Sequence, residues 1–180
     1  MTAHSKRLAI ISKIVTIDEN LGKTAMMKYI YLLQQVYKVP TGYDYEIYTY
    51  GPYSSELAGD INLAADFDII EATYSSKHTG FELRPTSQTN ICIDKEKEFI
   101  NEYSDAISEV IKLFGRKTTK ELELSSTIIY VYSNHSFNKW DTSFEEVTNY
   151  VKSIKPHFDM DTIKAEYMNL ESLGILEKSA

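Results

Sequence analysis

The sequence predicts a mainly α protein of the α+β kind. It has a winged-helix-like N-terminal lobe with a small β-hairpin, then a C-terminal helical bundle, packed as one compact unit. Three features carry that expectation. Apolar residues recur at helical spacing in three successive N-terminal segments. Two short apolar runs then flank Ser76-Lys77-His78-Thr79-Gly80, as in a hairpin. Beyond residue 90, helical periodicity and capping signals continue with no Ser/Gly/Pro-rich linker. Three helices followed by a hairpin is the order of a winged helix, so residues 1–90 form that lobe and 91–180 the helical part.

The first helix covers 5–17, with Leu8, Ile11 and Val15 on one face and Ile10, Ile14 and Ile17 widening it. The second covers 24–37, with Met26, Ile30, Leu33 and Tyr37 in register, and Pro40 and Gly42 stop it. Residues 43–50 alternate in part and read as an extended segment closed by Gly51-Pro52. Pro52 suits the first turn of a third helix, with Glu56 complementing its dipole and Leu57, Ile61 and Ala64 or Ala65 facing inward. The hairpin strands are 69–74 and 81–84. Asp94 caps one long helix carrying Phe99, Tyr103, Ile107, Val110 or Ile111, and Phe114, closed by Gly115. Thr118-x-x-Glu121 and Thr142-x-x-Glu145 are capping-box patterns that open the next two helices. A last helix after Pro156 carries Ile163, Tyr167, Leu170 and Leu173 before Gly174. Phe67-Asp68-Ile69-Ile70-Glu71 aligns on Leu173-Gly174-Ile175-Leu176-Glu177, each a helix end running into an apolar strand. Helix-stop chemistry accounts for that echo without a duplication.

A chain of 180 residues buries roughly 70% of its unfolded surface, so it needs neither disulfide nor metal. The single Cys92 points to a reducing compartment. Lys13 interrupts the N-terminal apolar stretch, and no apolar run approaches the roughly 20 residues that span a bilayer. The expectation is a cytoplasmic protein without membrane contact.

Net charge is −7, and no Lys, Arg or His lies between Lys38 and Lys77. That stretch holds Asp44, Glu46, Glu56, Asp60, Asp66, Asp68 and Glu71. A third helix so charged repels phosphates, which opposes DNA reading in the usual winged-helix manner. The alternative cations for DNA are Lys77, His78 and Arg84 on the wing, with the basic first helices behind them. Tyrosine is the compositional outlier: 14 Tyr against 7 Phe, many of them crowded between Tyr29 and Tyr53. Tyrosine on an acidic surface suits protein recognition, because each ring gives a large rigid contact with a hydroxyl at its end. Packing inside the lobe is the competing use, above all for Tyr29 and Tyr37.

Lys28-Tyr29-Ile30-Tyr31-Leu32-Leu33, then residues 41–57 centred on Tyr50-Gly51-Pro52, resemble the uncharacterised YwgA-like proteins and, more distantly, the Panacea domain of SocA-like antitoxins. The shared pattern is Lys-x-x-Tyr on the second helix and Tyr-Gly-Pro before the third, over roughly residues 20–75. The resemblance implies a small prokaryotic or mobile-element regulatory protein that binds a toxin or defence component and has no known enzymatic activity. Gly51 and Pro52 permit a sharp approach to the helix, and Lys28 and Tyr31, one turn apart, can lean on it. The partner-binding candidates are Lys28, Tyr31, Tyr45, Tyr48, Tyr50, Pro52, Tyr53, Glu56 and Asp60.

Other chemistry is set aside. Leu21-Gly22-Lys23-Thr24 ends like a phosphate loop, but Ile17 occupies the position of the required first glycine. His4, His78, His135 and His157 are isolated, and Asp159-x-Asp161 reads as a helix cap. Cys92 has no local nucleophile signature, and Glu145 and Glu146 are ordinary first-turn charges. The sequence therefore predicts a non-enzymatic protein-binding module with no cofactor and no metal, the rival being a DNA-binding regulator.

Overall fold

The computed structural model describes residues 3–18, 21–75 and 80–180. The chain runs α1 (Ala3–Ile17), β1 (Leu21–Gly22), α2 (Lys23–Gln35), β2 (Glu46–Tyr48), β3 (Gly51–Tyr53), α3 (Ser55–Asp66), β4 (Ile70–Ser75) and β5 (Gly80–Pro85). The second half is α4 (Thr89–Lys95), α5 (Lys97–Glu102), α6 (Ser104–Phe114), α7 (Thr119–Phe137), α8 (Phe144–Ile154), α9 (Met160–Ser172) and α10 (Ile175–Ser179). It is a mainly α fold with, among the described residues, two small antiparallel sheets, one ordered β1-β5-β4 and the other β2-β3. No helix among the described residues is long and apolar enough to cross a membrane.

The core is built around α2 and α7. In α2 the residues from Met26 to Leu33 are all buried, and in α7 so are residues 122–129. Neither helix has a solvent face over those turns, which is how a helix surrounded by other elements is patterned. α2 packs on α6 and α7, while α7 also meets β3, α8, α9 and α10. On the other side, α1 packs against α3, α4 and β5.

Local chemistry explains the helix ends. Thr118 and Glu121 form a full capping box: Glu121 Oε2 accepts from Thr118 N at 2.7 Å, and Thr118 Oγ1 accepts from Glu121 N at 3.3 Å. Asp159 caps α9 by accepting from Thr162 N at 2.8 Å. The internal echo holds at its turn, since Asp68 and Gly174 both take positive φ, at 55° and 65°. After Asp68, Ile69 N donates to Ala64 O at 2.8 Å, closing α3 as a Schellman turn.

Four expectations need correction. The chain after Gly174 forms the short helix α10 rather than a strand, because Ile175 and Leu176 turn inward against α7. Pro52 lies in β3, two residues before the Ser54 cap of α3, since Gly51-Pro52-Tyr53 pairs with β2. The cap of α8 is Ser143, which accepts from Glu146 N at 3.4 Å, not Thr142. Finally, Asp94 lies inside α4, and the single long helix is three: breaks at Glu96 and Tyr103 let the segment bend around α1. Buried Glu96 accepts from the Ser5 hydroxyl of α1 at 2.5 Å, which fixes the first break.

Candidate functional site

Tyr50-Gly51-Pro52 sits at the tip of the β2–β3 hairpin. Tyr48 pairs with Gly51 across a Thr49-Tyr50 turn. Gly51 has φ of 88°, and a Cβ there would lie 3.2 Å from Ser126 Oγ and Thr127 Oγ1 and 3.3 Å from Glu123 O. Glycine is needed for both reasons: the left-handed backbone, and the close approach of the hairpin to α7. The outer face of the tip carries Tyr48 and Tyr50, which are 62% and 61% exposed.

A buried polar clamp holds this hairpin. Lys28 Nζ, from α2, donates to Pro52 O at 2.6 Å. Lys155 Nζ, from the turn after α8, donates to Tyr48 O at 2.9 Å and Thr49 O at 2.5 Å. Glu123 of α7 answers with a carboxylate oxygen 3.0 Å from Lys155 Nζ and 3.3 Å from His157 Nε2. Lys28, Glu123 and Lys155 are all buried. Burial drives the Lys28 ammonium down to about 7; Glu123 pulls it back up, and Lys155 pushes it further down. The clamp gives carbonyls beside the hairpin turn donors that water supplies elsewhere.

A second network ties the preceding segment to α1 and α3. The Tyr43 hydroxyl donates to Asp60 Oδ2 at 2.7 Å, and the Arg7 guanidinium lies 4.2 Å from the Tyr43 ring centroid. Arg7 also donates to Thr41 O at 2.7 Å and Gly42 O at 2.6 Å, and reaches Glu56 at 3.6 Å. Burial, reinforced by Asp60, pushes the Tyr43 phenol far above its ordinary range. Tyr31 packs edge-on against Tyr45 with centroids 5.0 Å apart.

These contacts divide the candidate residues. Lys28, Tyr31, Pro52 and Asp60 are buried, so they shape the site from below and offer no surface to a partner. Tyr48, Tyr50 and Glu56 are exposed, and Tyr45 and Tyr53 are half-buried. Arg84 is exposed with its guanidinium 3.1 Å from Glu82. Lys77 and His78 lie outside the described residues. The cations of the first two helices are largely engaged: Lys6 over Phe99, Arg7 as above, Lys23 on Asn62 and over Phe81, and Lys28 in the clamp.

Beside the hairpin tip, Tyr48, Tyr50 and Tyr53 face Met27, Ala58 and Ile61 across a mostly apolar cleft of about 340 Å³, with Lys23 at its edge. A larger polar cleft of about 580 Å³ adjoins it between the starts of α2 and α7. There Lys117 is paired with Glu166 at 3.0 Å. Among the described residues, no group of three or more His, Cys, Asp or Glu stands close enough to hold a metal ion. Glu123, Lys155, Ser126 and Thr127 were missed from sequence. Their one visible signal is a glutamate between Leu122 and Leu124 in an apolar helix, which names no partner.

No protein-family model matches the chain, and no curated protein matches it.

Proposed function

We propose that this chain is a non-enzymatic regulatory module that binds a partner protein, in the manner of an antitoxin or defence-system accessory factor. The observation that carries it is the pair Tyr48 and Tyr50, more than half exposed on a hairpin whose backbone is clamped by two buried lysines. Rigid tyrosines beside an apolar cleft provide the aromatic anchors and the neighbouring pocket found at binding hot spots. Because the hairpin is already held, binding orders little further chain. The Lys-x-x-Tyr and Tyr-Gly-Pro resemblance to YwgA-like and Panacea proteins supports the same reading. The order α1, α2 and α3 followed by β4 and β5 supports reading the N-terminal lobe as a winged helix, one whose third helix is acidic. The DNA-binding alternative loses weight because most cations of α1 and α2 are engaged within the fold.

The test is co-expression with the products of the adjacent reading frames, followed by mass photometry of the purified chain. A stoichiometric complex is expected, and Tyr48→Ala with Tyr50→Ala should weaken it by tenfold or more while the fold stays intact by circular dichroism. A chain that remains monomeric beside every adjacent product would overturn the proposal.

A further inference from the structure

A third cavity, of about 270 Å³, lies between the end of α7, the start of the following loop, α8 and Ile47 of the β2–β3 hairpin. Its position follows from a turn. Lys139 has φ of 59°, and Trp140 N donates back to His135 O at 2.8 Å, so the chain reverses and sets Trp140 beside His135. A lysine held where glycine is favoured is backbone strain retained at one point. The Trp140 and Tyr150 rings stand edge-on to His135, with centroids 5.4 and 5.2 Å away.

His135 is 4% exposed, and its Nδ1 lies 2.7 Å from Asp141 O. A carbonyl only accepts, so Nδ1 carries the hydrogen, and in the neutral ring Nε2 is an acceptor. Nε2 is buried without a hydrogen-bond partner among the described residues. Asn134 Nδ2 donates to Tyr130 O and Asn138 Nδ2 to Asn134 O, each at 2.8 Å, which engages one N–H of each amide on the helix. Among the described residues no Lys or Arg lines the cavity: Lys139 is exposed outside it, and Lys155 is turned to Glu123. Tyr130, which does line it, has its phenol pushed up by burial, drawn back by a hydrogen bond with the Asn134 side chain, and raised again by the Glu46 carboxylate.

We propose that this cavity receives a guanidinium group, the side chain of an arginine presented by a protein partner, between Trp140 and Tyr150 with His135 Nε2 accepting one N–H. Aromatic walls attract a cation, and arginine stacks on rings while donating in its plane. The unpartnered acceptor on buried His135 favours a donor group, while the walls Trp140 and Tyr150 stay open to solvent, 58% and 43% exposed. The net charge of −7 complements a basic partner. The cavity chemistry does not use the exposed hairpin tyrosines Tyr48 and Tyr50; only the protein origin of the arginine rests on the protein-binding reading.

Trp140 is the single tryptophan, so its fluorescence reports on the cavity directly. Titrating the full chain with Nα-acetyl-arginine methylamide should give a saturable change. The neutral citrulline isostere should bind about tenfold more weakly or worse, as expected for loss of a cation–ring attraction and a charged hydrogen bond. Glu46→Gln, a surface change, should weaken the arginine probe several-fold, and His135→Phe should weaken it further. Should His135→Phe unfold the chain, Tyr150→Leu serves as the wall variant. Equal response to arginine and citrulline, or no saturable response to either, overturns the proposal. An arginine response together with a partner complex indifferent to Glu46→Gln overturns the protein origin and leaves a free guanidinium compound as the ligand. The hairpin proposal is scored separately, by the Tyr48 and Tyr50 variants.

Discussion

Lys28 shows how a residue chosen for one role turns out to fill another. Its spacing to Tyr31 and its relation to Tyr-Gly-Pro are visible in sequence, but its burial is not. Nothing in residues 24–37 reveals that the ammonium ends on the Pro52 carbonyl, within reach of Glu123 and Lys155. A buried amine makes stability depend on pH, and the sign follows from proton counts. Lys28 titrates at 10.5 ordinarily and at about 7 in the fold. Between those values the unfolded chain holds a proton the folded chain lacks, so stability rises with pH. Below about 7 both states are protonated and the burial penalty is felt in full. The buried phenols of Tyr31 and Tyr43 act oppositely: they are raised from 10.0, so above that pH only the unfolded chain ionises and stability falls. Urea unfolding should therefore show a rise of a few kcal/mol, in order of magnitude, from pH 7 to about 10 and a decline beyond it. Lys28→Met should flatten the rise and leave the decline. An unchanged slope in that variant would show that the amine is not what drives it.

At the scale of elements, the signals that were legible are those whose partners are close in sequence. Thr118 and Glu121 meet within one turn, and Asp68 and Gly174 act on carbonyls of their own helices. Hence the capping box and both left-handed stops could be read directly. Breaks set by distant partners could not. The Ser5–Glu96 bond spans 91 residues, and without it the run from Asp94 to Phe114 looks like one helix. The docking of the β2–β3 hairpin on α7 is of the same kind, since Gly51 is required by Ser126 and Thr127 as much as by its own φ. Gly51→Ala should cost about 1–3 kcal/mol in chemical denaturation, from the left-handed backbone and the crowding of its new Cβ. Because the tip must lift to relieve it, the same variant should also weaken the partner complex. Thr118→Ala should cost about 1 kcal/mol through loss of the α7 cap, with partner binding unchanged, which makes it the control for a purely stabilising change.

At the scale of the whole molecule, contacts cross the division at residue 90 that element order invites. The N-terminal half keeps α1, α2, α3 and the β1-β5-β4 sheet, which pack on one another, but α1 and α2 also bury surface against elements of the other half. α2 has no exposed face from Met26 to Leu33 because α6 and α7 cover it, and the hairpin tip is held from the C-terminal side by Glu123 and Lys155. At the far end, Gln35 Nε2 donates to Ser179 O at 2.8 Å, tying the close of α2 to α10 across 144 residues. Long-range closure of this sort is expected to make the helices one cooperative unit, because each half, taken alone, would expose the apolar surface it buries against the other. The full chain should then unfold in urea as a single transition by circular dichroism and by Trp140 fluorescence, with coincident midpoints. Residues 1–90 expressed alone should show no cooperative transition and a weak near-ultraviolet tyrosine signal, because Tyr29, Tyr31 and Tyr43 lose the packing that immobilises them. A cooperative fragment would instead mean that the lobe is a domain in its own right, and that the α7 clamp only orients a hairpin already formed.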